Sequence, residues 1–359
     1  MKKMIGFIIA LVSMAAVSSV CSAGMYIGDG NIASISKRTD GKEGFAVVYY
    51  KQRTATSINF ALLDESGNVE AEKSISFTGL GDVGDLVITG APGGGYAIIA
   101  RIYYTSGGDQ YYFVKLDKNG NTIDQKKLFD GEEVHHISIS TDWKDSSYNI
   151  MEVTRESSYP YHYRFVKIDM NGDKIASAYL YDKNGSIFDQ ARGLVSTVVN
   201  VPNSNNFAIL ANTIHGNGFE FTKFVMDSKA NKAIVATNEN TPFIGDSQEY
   251  NQPITSLSDE GVYAVPYNKY KNSNNNIYYA LFREDNKNNK LSLIGEHYVD
   301  HAGDTSEEFR GPIIAIASND NRIGLVFSSN DGKIWFTQIS KDQLINKINL
   351  NSTYKCNPI

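Results

Sequence analysis

Carboxylates recur at one place in this sequence. Ahead of successive apolar runs stand Asp29, Asp82 with Asp85, Glu132 with Glu133, Asp189, Asp246 with Glu249, and Glu307 with Glu308. Such groups can bond neighbouring backbone amides, or they can hold a cation or the basic group of a ligand. Two of them at suitable spacing can also serve as acid and base on a glycosidic bond. A second set of side chains is amphipathic. The stretches Tyr103 to Tyr112, Arg155 to Tyr163 and Tyr267 to Asn276 are rich in Tyr, Arg and Asn, which combine aromatic surface with adaptable hydrogen bonding and suit recognition of sugars or protein. The candidate binding residues are therefore Tyr104, Arg155, Tyr161, Tyr270, Asp85, Glu133, Asp189, Glu249 and Glu308. The plain alternatives are solvated loops in an Asn- and Tyr-biased chain, and carboxylates tied to nearby backbone.

Other chemistry finds no support in the spacing. His297 and His301 would share a strand face yet lie about 13 Å apart, too far for one metal ion. The Asp117 to Asn121 and Asp169 to Asp173 segments lack the Gly and Glu places of an EF-type calcium loop and read as hairpin turns. Gly93-Gly-Gly95 lacks the Lys-Ser/Thr of a phosphate loop, and there is no Gly-x-Ser-x-Gly elbow. No catalytic residue, metal ligand or cofactor is assigned.

The elements that must position these residues are short strands in a repeating order. An apolar run, then a second one about 20 residues later ending in a polar turn, recurs six times. The first runs begin at Phe45, Tyr96, Tyr148, Phe207, Val262 and Ile323, spaced 51 to 61 residues apart. Each copy has a further run before the two, such as Leu86 to Ile88, and another after, such as Ile175 to Leu180. That predicts four strands per repeat, rich in β-branched and aromatic residues and separated by Gly, Asn, Asp and Ser. No long 3.6-residue apolar period argues for helices. Turns such as Asp117-Lys-Asn-Gly-Asn121 carry tight-hairpin chemistry, because Asn and Gly accept positive φ and Asp bonds its own backbone.

Four antiparallel strands per repeat, six times over, resemble the β-propeller family across residues 24–359. The resemblance implies an all-β, six-bladed β-propeller of four-stranded antiparallel blades, with a pair of β-sandwich domains as the competing fold. It also implies that first strands line a central axis. The acidic residues would then ring one mouth of the channel. The Tyr-rich loops between second and third strands would emerge on that same face, with the tight Asp turns on the other. Ser328-Ser-Asn-Asp-Gly-Lys-Ile-Trp335 is similar to the Asp-box hairpin of sialidases, departing from it at Asn330 and Ile334. Phe309-Arg-Gly-Pro312 resembles that family's arginine motif, but stands in the last repeat instead of near the start.

The N-terminus adds a destination. Lys2 and Lys3, the apolar run Met4 to Val17 and the small residues up to Ala23 have the order of a secretion signal, so residues 1–23 are expected to be removed and residues 24–359 to form one domain. The rival reading, a lipid anchor on Cys21, lacks the small residue before the cysteine and the Leu three before it. With Cys21 gone Cys356 stands alone, so the fold must rest on its core. A net charge of −6 without a basic block argues against nucleic acid and anionic membrane surfaces as partners. The function expected is that of an exported, periplasmic or secreted, non-enzymatic propeller binding a glycan or an envelope or host protein. The alternative is a glycan-acting hydrolase using carboxylates at the channel mouth.

Overall fold

The structure, a computed structural model, describes residues 25–340 except 30–31, 51–56, 78–80, 105–107, 131–133, 155–161, 183, 188–190, 196–197, 201–205, 214–218, 228–231, 241–254, 259–260, 272–273, 286–289, 305–313, 320–321 and 329–332. Every regular element among the described residues is a strand. After β1 (Met25–Asp29), the first unit is β2 (Ile32–Lys37), β3 (Phe45–Tyr50), β4 (Ser57–Leu63) and β5 (Val69–Ser76). The second is β6 (Gly81–Gly90), β7 (Tyr96–Tyr104), β8 (Gly108–Leu116) and β9 (Thr122–Asp130). The third is β10 (Val134–Asp142), β11 (Ser147–Thr154), β12 (His162–Ile168) and β13 (Lys174–Tyr181). In the fourth, β14 (Ala191–Val195) and β15 (Val199–Asn200) share one place beside β16 (Asn206–Thr213), β17 (Phe219–Asp227) and β18 (Lys232–Asn240). The fifth is β19 (Thr255–Ser258), β20 (Val262–Lys271), β21 (Asn274–Asp285) and β22 (Lys290–Asp304). The last is β23 (Ile314–Ser318), β24 (Arg322–Ser328) and β25 (Lys333–Ser340), completed by β1.

Within each unit neighbouring strands pair antiparallel in chain order. Hydrogen bonding gathers the six units into five sheets, because the third and fourth are joined at their outer strands by two parallel pairs, Leu180 with Ala233 and Tyr181 with Ile234. The innermost strands follow one another around a closed ring: β2 neighbours β6, then β10, β14 with β15, β19, β23 and β2 again. A sheet held between two others buries both faces. Accordingly β3 and β11 are buried at every position, while the outer β5 is mostly exposed.

One aromatic contact repeats between units. A phenylalanine on a third strand meets an aromatic ring at the start of the next unit's second strand. The centroid distances are 5.0 Å for Phe60 and Tyr96, 5.8 Å for Phe113 and Tyr148, 5.0 Å for Phe165 and Phe207, and 5.5 Å for Phe336 and Phe45. Hairpins such as Asp64 to Asn68 and Asp117 to Asn121 follow the expected turn chemistry. Asp117 Oδ1 accepts the amides of Asn119 and Asn121, each at 2.8 Å, and Gly120, with φ +82°, donates its amide to the Asp117 carbonyl at 3.1 Å.

Two expectations need correction. Tyr103 to Tyr112 and Tyr267 to Asn276 are mainly strand, not loop: β7 and β8 stay paired up to Tyr104 and Gly108, and β20 and β21 up to Lys271 and Asn274. Tyrosine favours the pleated surface, so these runs prolong their hairpins. Asp82 and Asp85 lie within the first strand β6 and not ahead of it, whereas Asp29 does stand just ahead of β2; it ends β1, which pairs with β25 and so joins the two ends of the ring.

Candidate functional site

The end of the second unit where β6 begins and β7 ends brings together Asp82, Asp85, Tyr103, Tyr104 and Asp109. Residues 84 and 85 form a bulge in β6, since Val83 pairs with Ile102 and Leu86 with Ala100, leaving two residues opposite Arg101. A bulge re-aims a side chain, and here it turns Asp85 toward several partners. Its Oδ2 accepts the Tyr111 hydroxyl at 3.2 Å and lies 3.6 Å from Arg101 Nη1, while Oδ1 lies 3.8 Å from Nδ1 of His136, on the third unit's first strand. Gly84 lets the Tyr103 ring lie against the bulge, since a Cβ there would stand 2.0 Å from it and displace it.

Arg101 organises the rest. Its Nε donates to Asp109 Oδ2 at 3.1 Å and its Nη2 bonds the same oxygen. Its guanidinium carbon lies 4.5 Å from the Tyr103 ring centroid and 5.6 Å from that of Tyr111. Burial opposes the Arg101 charge, but Tyr111, the Asp109 hydrogen bond and Asp85 outweigh it, so the guanidinium holds its proton more tightly than usual. Burial pushes the His136 imidazole below its ordinary value, with Asp85 pulling it up and Arg101 down. Asp82 serves the seam on the other side of the sheet, accepting the hydroxyl of Tyr50 from the first unit at 2.6 Å.

Of the residues singled out from the sequence, Asp85 and Tyr104 stand at this same end of the second sheet but serve opposite faces of it. Tyr104 packs toward the first unit and donates its hydroxyl to Tyr112 at 3.0 Å. The aromatic exposed here is Tyr103, at 38%. Tyr270 lies on β20, its side chain not among those described, and Arg155, Tyr161, Glu133, Asp189, Glu249 and Glu308 fall outside the described residues, as do the signal segment, Cys356 and Phe309 to Pro312. Sequence reading passed over Arg101, Asp109 and His136. The available signal was Arg101 itself, a charge inside the apolar run Tyr96 to Ile102 that demanded a buried partner. The tight Asp117 turn joins β8 to β9 at the end away from this cluster.

No protein-family model and no curated protein matches the sequence. Solved structures are similar in fold. A protein of unknown function from Dyadobacter fermentans is 11% identical with a TM-score of 0.58, over 90% of this chain and 98% of that one. The Hadza microbial sialidase Hz136 is 11% identical with a TM-score of 0.59, over 88% of this chain and 66% of its own. The Aleuria aurantia lectin is 9% identical with a TM-score of 0.51, over 88% and 93%. Among the described residues no helix is long and apolar enough to cross a membrane. With its four-stranded units packed in a closed ring and these likenesses, the chain is a β-propeller.

Proposed function

We propose that this propeller is exported and binds a glycan through the face where β6 begins and β7 ends, without catalysing a reaction. The observation that carries the reading is the cluster of Asp85, Arg101, Asp109 and the exposed Tyr103 at that end, facing away from the tight turns. Aromatic surface beside fixed carboxylates and a guanidinium suits a ligand with apolar ring faces and many hydroxyls. The fold-related Aleuria aurantia lectin was solved with alpha-methyl-L-fucoside, which supports a glycan over a protein partner. The hydrolase alternative draws on the likeness to a sialidase. Against it, Asp85 and Asp109 are both engaged with one guanidinium, whereas a hydrolytic pair must be free to exchange protons with substrate and water.

A glycan array and a pull-down with the purified chain test the reading. Replacing the exposed Tyr103 by Ala is expected to weaken binding about tenfold or more and leave the melting temperature nearly unchanged. A large loss of stability would instead make this tyrosine a packing residue. Export is tested by sequencing the N-terminus of protein recovered from a bacterial periplasm or culture fluid. The expected start is Gly24, and an intact Met1 there would refute the cleaved signal.

A further inference from the structure

We propose that the upper end of the seam between the second and third units is a subsite for hydroxyl groups of a neutral sugar, with Glu152 as the acceptor at its floor. The proposal rests on the glycan-binding reading and specifies the place and the ligand chemistry.

The seam can be followed by register. At its apolar level Phe113 meets Tyr148, in a core cluster with Ile99, Ile150 and Ile168. Every second residue of a strand returns to the same face. Two such steps from the pair Ile99 and Phe113 lead to the pair Tyr103 and Asp109. The same two steps from Tyr148 and Ile168 lead to Glu152 and Arg164. Arg164 in turn pairs with Tyr179, whose ring meets that of His162 edge-on at 6.1 Å. The seam therefore turns from apolar to polar along both walls, at Arg101 on the second unit and one step further up, at Glu152, on the third.

Glu152 is fully buried, at 0% exposed. Its Oε2 accepts from Nε of Arg164. Among the described residues its Oε1 finds no hydrogen-bond donor, and the buried Nδ1 of His162, one step higher on the same face, finds no partner either. A buried carboxylate oxygen without a donor is a costly arrangement. Burial accordingly pushes the Glu152 carboxyl above its usual range, against the pull of Arg164. Among the described residues Glu152 is matched by Arg164, with Lys174 adding to the positive side, and Arg101 by Asp109 and Asp85. What Glu152 offers is therefore hydrogen-bonding capacity at Oε1, its own charge being already met. Neutral hydroxyls supply the donor that Oε1 needs, and the rings of Tyr103 and Tyr179 supply apolar surface for a sugar ring. Because Glu152 is enclosed, entry of the hydroxyl requires the Arg164 side chain, 24% exposed, to give way.

Calorimetric titration of the purified chain with methyl glucoside, galactoside, mannoside and fucoside tests the subsite. One of them is expected to bind, and Glu152→Gln, nearly isosteric and uncharged, to weaken it roughly 10- to 100-fold without lowering the melting temperature. Should that variant not fold, Tyr179→Ala, beside His162 on the same wall, carries the same test. Undiminished binding by the folded variants would overturn the seam subsite and leave glycan binding in place. Binding of a lysine-rich peptide but none of the sugars, or of neither, would overturn the glycan reading and this subsite with it.

Discussion

Replacing Lys223 by Met is expected to destabilise the propeller by about 3–5 kcal/mol, whereas replacing Lys223 and Glu284 together by Met and Leu should restore most of the loss. Lys223 on β17 bonds Glu284 on β21, so the pair ties the fourth unit to the fifth. Both side chains are almost wholly enclosed, at 6% and 4% exposed. The Tyr263 hydroxyl donates to the other Glu284 oxygen at 3.3 Å, and the Glu284 amide donates to the Gly261 carbonyl at 2.9 Å. Removing only the ammonium leaves a buried carboxylate whose solvation was given up on folding. The large effect is the stranded charge, so it should vanish when both charges go. Urea unfolding at neutral pH of the two single variants and the double variant forms the required cycle. Equal losses in single and double variants would show that side-chain volume, not charge, holds this seam.

Burial on both faces also accounts for what was legible in the sequence. Phe45, Tyr96, Tyr148, Phe207, Val262 and Ile323 all fall in second strands, because a strand buried on both faces must be apolar almost throughout, and that pattern survives in a single sequence. The turns were legible for a similar local reason, as Asp117 bonds amides only two and four residues away. Pairings across a seam carry no such local mark. Lys223 and Glu284 lie 61 residues apart, and Asp85 meets His136 only because neighbouring units bring their first strands together. Even the joining of the third and fourth units rests on two residue pairs, Leu180 with Ala233 and Tyr181 with Ile234. The tyrosine runs misled for a different reason. Tyr103 and Tyr104 are adjacent in sequence, yet alternation sends one to the exposed seam with Arg101 and the other into packing with Tyr112.

A second large effect is expected where the repeated aromatic contact meets a hairpin. Gly120 sits in the tight turn of the second unit with φ +82°, and a Cβ there would stand 2.4 Å from the ring of Phe60 in the first unit. The neighbouring seams use the same device: a Cβ on Gly172 would stand 2.8 Å from Phe113, and one on Gly67 2.9 Å from Phe336. Phe60, Phe113 and Phe336 therefore each cover the turn of the next unit as well as its second strand. Phe60→Ala is expected to cost about 3–5 kcal/mol, through lost burial and the cavity left beside Tyr96. Gly120→Ala should cost about 1–3 kcal/mol, since it combines left-handed backbone strain with a clash against a ring that cannot retreat. The two should not add. With Phe60 already cut back the clash disappears, and Gly120→Ala should then cost only the strain, about 1 kcal/mol. Thermal and urea unfolding of the two single variants and the double variant measure that coupling. Strict additivity would mean that the ring and the turn are independent, and that the propeller's seams are held by the second-strand contacts alone.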